Sequence, residues 1–234
     1  MVLKKKFFDK ENLKNTFVGH PLLDSMEKDI NVEINDFVEK KNIVSLFPGS
    51  RDSEIKILFP VLINFIKKMN LKDNSYHYIF HSTQKFKETI KDKLLVEKLS
   101  NVEVVSDDKI KSQVLKKSIF AIVKSGTVSL DVCKNNIPSI IIYKMNFFNY
   151  HLAKFLLKIK YVNMINIINN KEIIPELLQN ECNPNEIYKT FYYFMKKPNL
   201  IKEQMSVVKN TINDLKSSTS ASDQASKVIL SYLT

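Results

Sequence analysis

The sequence has no tryptophan, three glycines, two cysteines and a single arginine among 36 basic residues. The cysteines, Cys133 and Cys182, stand far apart and lack the close Cys and His spacing of a zinc site. We therefore expect reduced thiols in a cytoplasmic protein, with no bound metal and no cofactor. No apolar run is long enough to cross a bilayer, and the first residues lack the apolar segment of a secretory signal, which predicts a protein that is neither integral nor secreted by that route.

The charge of the chain is strongly positive, with a formal net value of +11 over 234 residues, of which 44% are hydrophobic. The hydrophobic content predicts a globular protein. A basic surface attracts nucleic acid through counterion release. The lysines are scattered, however, and no RNA-binding signature occurs, so we expect no specific nucleic-acid partner and favour a role at an anionic membrane surface.

The one arginine, Arg51, follows Pro48-Gly49-Ser50. A surface that only has to be basic can use lysine, whereas a planar fork that grips phosphate through two hydrogen bonds requires arginine. A helical period begins after the motif, with Ser50, Asp52 and Ser53 as candidate caps, and a helix start favours an anion. The alternative is an ordinary strand-to-helix turn with a solvated arginine.

Short apolar segments alternate with helical patterns in the central part of the chain. The predicted strands are 42–47, 76–81, 102–105, 118–123 and 138–143, and the helices between them are 52–69, 83–98, 108–117 and 127–135. This alternation predicts an α/β fold with a Rossmann-like parallel sheet and helices on both faces. Further helices are predicted at 147–158, about 172–178, 184–196, 199–215 and 222–233.

A second glycine motif, Ser125-Gly126-Thr127, also follows a predicted strand and opens a predicted helix. Ligands of open α/β sheets bind beyond the carboxyl ends of the strands, where both motifs fall. Asp131 is four residues after Thr127 and shares its helix face. The motif therefore offers amides and a hydroxyl for a diphosphate and a carboxylate for a ribose. Alternatively, Thr127 only caps the helix and Asp131 is solvated.

These motifs, taken in order, resemble the lipid-A-disaccharide synthase family. The likeness is carried by Phe17–Asp24 (FVGHPLLD), Pro48–Arg51 with Glu54-Ile55, Ser125–Thr127 with Leu130-Asp131, Tyr143–Met145, Asn166 and Pro175–Leu178. It covers nearly all of residues 7–233, and the order and spacing of the motifs make it specific. The chain departs from the family at Asp131, where the family has glutamate, and at Ile165, where it has proline.

The resemblance implies a glycosyltransferase of the two-Rossmann-domain, GT-B type. Such an enzyme transfers 2,3-diacylglucosamine from UDP to 2,3-diacylglucosamine 1-phosphate and releases UDP, at the inner membrane of a Gram-negative-type bacterium. This chain resembles the C-terminal, nucleotide-sugar-binding half, divided as an interdomain segment (1–41), the UDP-sugar-binding domain (42–216) and a C-terminal loop and helix (217–234). The family's general base is expected in the N-terminal half, and therefore not in this chain. This chain alone is then not expected to complete the transfer unless a separate polypeptide supplies the other half. The expected protein partners are such a separately encoded half or a second copy of this chain.

The resemblance also assigns roles to residues. Arg51 would stabilise the UDP leaving group, as the catalytic contribution of this chain. The residues implied to bind substrate are His20, Gly49, Ser50, Arg51, Ser125, Gly126, Thr127, Asp131 and Asn166. For His20 an equally weighted alternative is a turn residue fixed by Pro21.

Residues Met145 to Ile159 carry phenylalanines, including Phe147 and Phe148, among lysines. This pattern is typical of a helix at an anionic membrane interface, although a helix that packs on the sheet or on a partner domain is equally compatible with it. Three functions remain open from the sequence: the donor-binding half of the transferase, a non-catalytic remnant that binds UDP-sugars or membranes, and a basic module that binds nucleic acid.

Overall fold

The computed structural model describes residues 8, 12–24, 42–145, 160–216 and 219–233. The six strands within these ranges form one sheet: β1 (Ile43–Phe47), β2 (His77–His81), β3 (Val102–Val105), β4 (Ser118–Lys124), β5 (Ser139–Tyr143) and β6 (Glu176–Leu178). They lie in the order β3-β2-β1-β4-β5-β6, and every neighbouring pair is parallel. This is the doubly wound order, in which the direction of winding reverses between β1 and β4.

The helices connect and cover these strands. They are α1 (Pro21–Asp24), α2 (Asp52–Asn70), α3 (Gln84–Glu97), α4 (Asp108–Lys117), α5 (Val128–Lys134), α6 (Met164–Asn169), α7 (Pro184–Lys196), α8 (Pro198–Leu215) and α9 (Ala221–Leu230). None of the described helices is both long and apolar enough to cross a membrane.

Both faces of the sheet are covered, and all five residues of β1 are buried. One face packs against α2, α3 and α7, where Phe65, Phe120 and Phe191 form edge-to-face ring contacts. The other face packs against α5 and α8 through residues such as Leu130 and Val208. A parallel sheet that is buried on both faces requires the continuous apolar strands of this sequence.

The predicted α/β fold is confirmed, including the five predicted strands, the four helices between them and three of the five later helices. The helix predicted at about 172–178 is wrong, because this segment contains β6. Pro175 has no N–H for a helix, and its carbonyl accepts a hydrogen bond from Ile141 N at 2.8 Å, which starts pairing with β5. The short helix α6 was not predicted. The helix predicted at 147–158, with Phe147 and Phe148, lies outside the described residues, as do residues 25–41.

Candidate functional site

A cavity of about 550 Å³ opens where the winding of the sheet reverses, at the carboxyl ends of β1 and β4. Two loops form its floor: the β1 loop (48–51) and the β4 loop (125–127). They lie side by side because β1 and β4 are paired up to Phe47 and Val123. The cavity is lined by Phe47, Gly49, Ser50, Arg51, Glu54, His81, Ser82, Thr83, Asp108, Lys111, Lys124, Ser125, Gly126, Thr127, Val128 and Asp131.

The β1 loop is closed by a side chain from its own helix. Glu54 folds back over the loop, and its Oε2 accepts hydrogen bonds from Ser50 N at 2.9 Å and Arg51 N at 3.3 Å. Arg51 is the N-cap residue of α2, and its amide donates to Glu54 as in one half of a capping box; the arginine side chain has no acceptor for the other half. The predicted caps Ser50, Asp52 and Ser53 are wrong, because the N-cap position falls on Arg51 and the helix already begins at Asp52.

Gly49 is required by this arrangement. Its φ is +108°, and a Cβ atom at this position would lie 2.7 Å from the Cβ of Glu54. Any larger residue would combine a strained backbone with a collision. The glycine thus allows Glu54 to cover the β1 loop, which the sequence motif did not reveal.

The β4 loop has a different support. The Ser125 hydroxyl donates to the carbonyl of Val162 at 3.1 Å, so the loop is tied to a segment 37 residues away. Thr127 is the N-cap residue of α5 but its side chain makes no capping hydrogen bond. The reading of Thr127 as a capping side chain is therefore wrong. The amides of Gly126, Thr127 and Val128 donate to no group within the part of the chain that the structure describes.

Three cations line the cavity, and each has a carboxylate partner. Lys124 Nζ lies 2.9 Å from Glu54 Oε1, and Arg51 approaches the same oxygen at 3.4 Å with 78% of its side chain exposed. Lys111 pairs with Asp108 at 3.1 Å. Burial raises the pKa of Glu54, but the hydrogen bonds from Lys124 and the Ser50 amide outweigh it and hold that pKa below its ordinary value. Arg51 is thus the cation most exposed to an incoming anion.

His81 closes the side of the cavity next to β2. Its ring stacks on Phe47 with centroids 4.2 Å apart, and its Nε2 is 2.8 Å from Ser45 Oγ. Ser45 Oγ lies 2.6 Å from Ser118 Oγ, which donates to the Val114 carbonyl at 2.8 Å. Burial, with a smaller contribution from the Lys111 charge, lowers the pKa of His81 to about 3, so the imidazole is neutral at physiological pH.

Asn166 does not line the cavity and is fully buried. Its Nδ2 donates to the Ile174 carbonyl and to Glu176 Oε1, both at 2.7 Å, and its Oδ1 accepts from the Ile173 and Ile174 amides. All of its side-chain hydrogen-bonding atoms are therefore occupied inside the protein. Glu176 in turn accepts from Val162 N at 2.8 Å, so Asn166 supports the segment to which the β4 loop is tied.

His20 is not among the residues that line the cavity either. Its carbonyl accepts from Leu23 N at 2.8 Å, and its Nδ1 is 3.3 Å from Leu22 N, which makes it the start of the short helix α1. Leu23 packs in the core beside α5. This geometry matches the reading of His20 as a turn residue.

The structure thus brings together seven of the nine predicted binding residues and leaves out His20 and Asn166. It adds seven charged or polar residues that sequence reasoning did not assign to the site: Glu54, His81, Ser82, Thr83, Asp108, Lys111 and Lys124. For Glu54 a signal existed, because glutamate three residues after an N-cap is typical of a capping box. His81 had none, since its partners Ser45 and Ser118 are 36 or more residues away. No group of three or more metal-binding side chains was found within the described residues.

Solved structures share this fold at low sequence identity. The UDP complex of MnaA from S. aureus aligns with a TM-score of 0.53 at 14% identity, over 89% of this chain and 49% of that one. WaaG, a glycosyltransferase involved in lipopolysaccharide biosynthesis, aligns with a TM-score of 0.50 at 12% identity, over 82% and 47%. The fold is that of GT-B glycosyltransferases and related epimerases.

Sequence comparison identifies the family. The sequence model described as lipid-A-disaccharide synthetase matches residues 3–229. The lipid-A-disaccharide synthases of Sulfurihydrogenibium sp. and Persephonella marina are 31% and 33% identical, over 83% and 88% of this chain. The chain spans about half the length of these relatives, 53% and 54%. With the doubly wound sheet and its two-loop cavity, these matches show that the chain belongs to the lipid-A-disaccharide synthase family.

Proposed function

We propose that this chain supplies the nucleotide-sugar-binding half of a lipid-A-disaccharide synthase. The reaction is the transfer of 2,3-diacylglucosamine from UDP to 2,3-diacylglucosamine 1-phosphate, with release of UDP. The observation that carries the proposal is the cavity at the reversal of the sheet, where the β1 and β4 loops meet beside Arg51. This is the position at which doubly wound sheets bind nucleotides.

The two loops would bind the diphosphate through different groups. The amides of the β4 loop, at Gly126, Thr127 and Val128, have no hydrogen-bond partner among the described residues and are available to a ligand. The Ser50 and Arg51 amides already donate hydrogen bonds to Glu54. We therefore propose that the β1 loop contacts the diphosphate through the Arg51 side chain. We propose that Asp131, on the same cavity wall, contacts the ribose.

Stabilisation of the leaving group is the chemical contribution that these residues can make. Charge builds on the diphosphate as the glycosidic bond to UDP breaks, and fixed donors aimed at that charge lower the barrier. The Arg51 contact with Glu54 is long at 3.4 Å and exposed, so a phosphate can replace the carboxylate at small cost. Lys124 stays with Glu54 at 2.9 Å and keeps the two loops in register.

Titration calorimetry with UDP tests the nucleotide site. Loss of a charge-assisted contact in Arg51→Ala should weaken UDP binding by about 1.5–3 kcal/mol, or roughly tenfold to a hundredfold. Arg51→Lys keeps the charge but loses the fork and should recover only part of the affinity. Lys202→Ala removes an exposed charge on α8, away from the cavity residues, and serves as the control for net charge.

The outcomes separate the candidate functions. Equal UDP affinity in the parent chain and Arg51→Ala would contradict the proposed site. Turnover is measured with the chain alone and with the half of a relative that this chain does not match. If the chain binds UDP but shows no turnover either alone or with that half, a non-catalytic remnant is favoured.

We also propose that the segment around Phe147 and Phe148 brings the enzyme to an anionic membrane, where its acylated substrates reside. The support is the sequence pattern of aromatic and basic residues. Sedimentation with anionic liposomes should show reduced binding for the double variant Phe147→Ser/Phe148→Ser. Unchanged binding would contradict this role, and Tyr192→Ser, an exposed aromatic residue on α7, is the control.

A further inference from the structure

His81 occupies a position that the proposed phosphate contacts leave unused. It ends β2, next to β1, and lines the cavity beyond the β1 loop. The ring is held flat against Phe47, with an angle of 18° between the two planes. Its residue exposure is only 5%, so the ring has little freedom to turn.

The chain of hydrogen bonds behind His81 determines which ring nitrogen carries the proton. Ser118 donates its hydroxyl hydrogen to the Val114 carbonyl, so Ser118 Oγ accepts from Ser45. Ser45 has then used its only hydrogen, and its oxygen must accept from His81 Nε2. His81 is therefore the Nε2–H tautomer, and its Nδ1 is an acceptor.

Nδ1 is the polar atom that His81 can offer to a ligand. Nε2 is engaged with Ser45 inside the sheet, and Nδ1 takes part in no hydrogen bond within the described ranges. Burial and the nearby Lys111 charge both oppose protonation of the ring. An unprotonated nitrogen cannot bond to the oxygens of an ionised diphosphate, because both are acceptors.

We propose that His81 recognises the nucleoside part of the bound nucleotide, by accepting at Nδ1 a hydrogen bond from a base N–H or a ribose O–H. The proposal rests on the proposed function, since it assumes that the cavity binds a uridine nucleotide. It divides the cavity into a phosphate side, served by Arg51 and the β4 loop, and a nucleoside side at the end of β2. A site that hydrogen-bonds a donor discriminates against analogues that lack it, so His81 is a specificity residue.

Calorimetry with two probes, UDP and inorganic pyrophosphate, tests this division. His81→Phe keeps a ring beside Phe47 but removes both nitrogens, and should weaken UDP binding about tenfold while pyrophosphate binding is unchanged. Arg51→Ala should weaken both probes. His77→Phe, at the opposite end of the same strand, is the matched control and should change neither.

Two UDP analogues identify the donor. N3-methyl-UDP lacks the base N–H, and 2′,3′-dideoxy-UDP lacks the ribose hydroxyls. One of these analogues lacks the group that donates to His81. The parent chain and His81→Phe should bind that analogue with equal affinity, because the hydrogen bond is already absent, as in a double-mutant cycle. If the difference between parent and variant persists with both analogues, the proposal is overturned.

A measurement on the unsubstituted chain covers the case in which His81→Phe does not fold. ¹⁵N NMR of the imidazoles should show the Nε2–H tautomer for His81, with an Nδ1 signal that moves on addition of UDP but not of pyrophosphate. An Nδ1–H tautomer, or an Nδ1 signal unmoved by saturating UDP, would overturn the proposal and leave the proposed function standing. Absence of calorimetric UDP binding to the parent chain would overturn both, and equal weakening of UDP and pyrophosphate by His81→Phe would show only a structural role.

Discussion

The β1 loop and the β4 loop occupy equivalent places, yet they are built differently. Each follows a buried strand, contains one glycine and precedes a helix. The β1 loop is supported locally by Glu54, which is three residues after Arg51. The β4 loop is supported from a distance, through the bond from Ser125 to Val162.

The difference decides what each loop can offer a ligand. Glu54 saturates the Ser50 and Arg51 amides, so the β1 loop presents a side chain. The β4 loop keeps its backbone amides for the cavity because its support reaches the Ser125 hydroxyl and, through Asn163 and Ser129, the start of α5. This contrast is the basis for our proposal that the β1 motif contributes an arginine fork and the β4 motif its backbone amides.

The largest expected effect comes from removing the distant support. Asn166→Ala deletes the side chain that joins Glu176 to the Ile173 and Ile174 amides and leaves these buried groups short of partners. We expect the free energy of unfolding to fall by about 3 kcal/mol, because each unsatisfied buried group costs about 1–3 kcal/mol. UDP affinity should fall as well, since the β4 loop loses its anchor. Urea denaturation and calorimetry measure the two effects.

The control for this prediction is Asn169→Ala on the same helix. Its side chain bonds to Thr211 and to the Ile165 carbonyl, away from the β4 loop. It should lower stability less and leave UDP affinity unchanged. If Asn166→Ala is as stable as the parent chain, the distant support of the β4 loop is refuted.

The two glycines should respond differently to alanine. Gly49→Ala introduces a Cβ that collides with Glu54 at a φ of +108°, and should lower the free energy of unfolding by about 2 kcal/mol. At Gly126 the φ of +156° is also unfavourable for alanine, but the added Cβ would meet only Lys124 Nζ, at 3.9 Å, and would not collide. Gly126→Ala should therefore cost less stability but reduce UDP affinity, because the new methyl group lies among the cavity residues. Equal losses of stability in the two variants would contradict the comparison of the loops.

The smallest expected effect is the loss of the Glu54 charge. Glu54→Gln keeps the shape of the capping box but weakens the ion pair with Lys124, and should lower stability by about 1 kcal/mol at neutral pH. The pKa of Glu54 lies below its ordinary value of 4.5 in the folded chain. The stabilisation is therefore complete above pH 4.5 and is lost as the pH falls through the lowered folded-state pKa.

The measurement is urea denaturation of the parent chain and Glu54→Gln at several pH values. The stability difference between them should be constant above pH 4.5 and shrink on acidification below it. Asp52→Asn, which removes a carboxylate from an exposed ion pair with Lys85, is the control and should have a smaller effect. A stability difference that grows on acidification would have the wrong sign for this explanation.

The sequence predicted the elements of the sheet well because strand and helix periods are local properties. Five strands and the helices between them follow from apolar spacing alone. Strand β6 was not predicted, because a strand of three residues shows no hydrophobic period. Its formation depends on pairing with β5, which is distant in the sequence. The predictions that Thr127 and Ser50 cap helices with their side chains were wrong for a related reason. Which side-chain oxygen can accept a hydrogen bond from a helix amide depends on the backbone conformation of the turn.

Three features could be predicted before the structure was known: the parallel α/β architecture, the position of both loops at the carboxyl ends of strands, and the placement of Arg51, the one arginine, in the β1 loop. Each depends on residue type and spacing along the chain. The assembled fold was needed to show that Glu54 accepts hydrogen bonds from the β1 loop amides, that Asn166 is buried behind the β4 loop, and that His81 lies in the cavity with its Nε2 against Ser45. These features depend on hydrogen bonds whose partners are set by the fold. The partners of Asn166 are 7 to 10 residues away, across the turn into β6. Those in the His81 chain are 36 and 73 residues apart and meet only when the sheet is assembled.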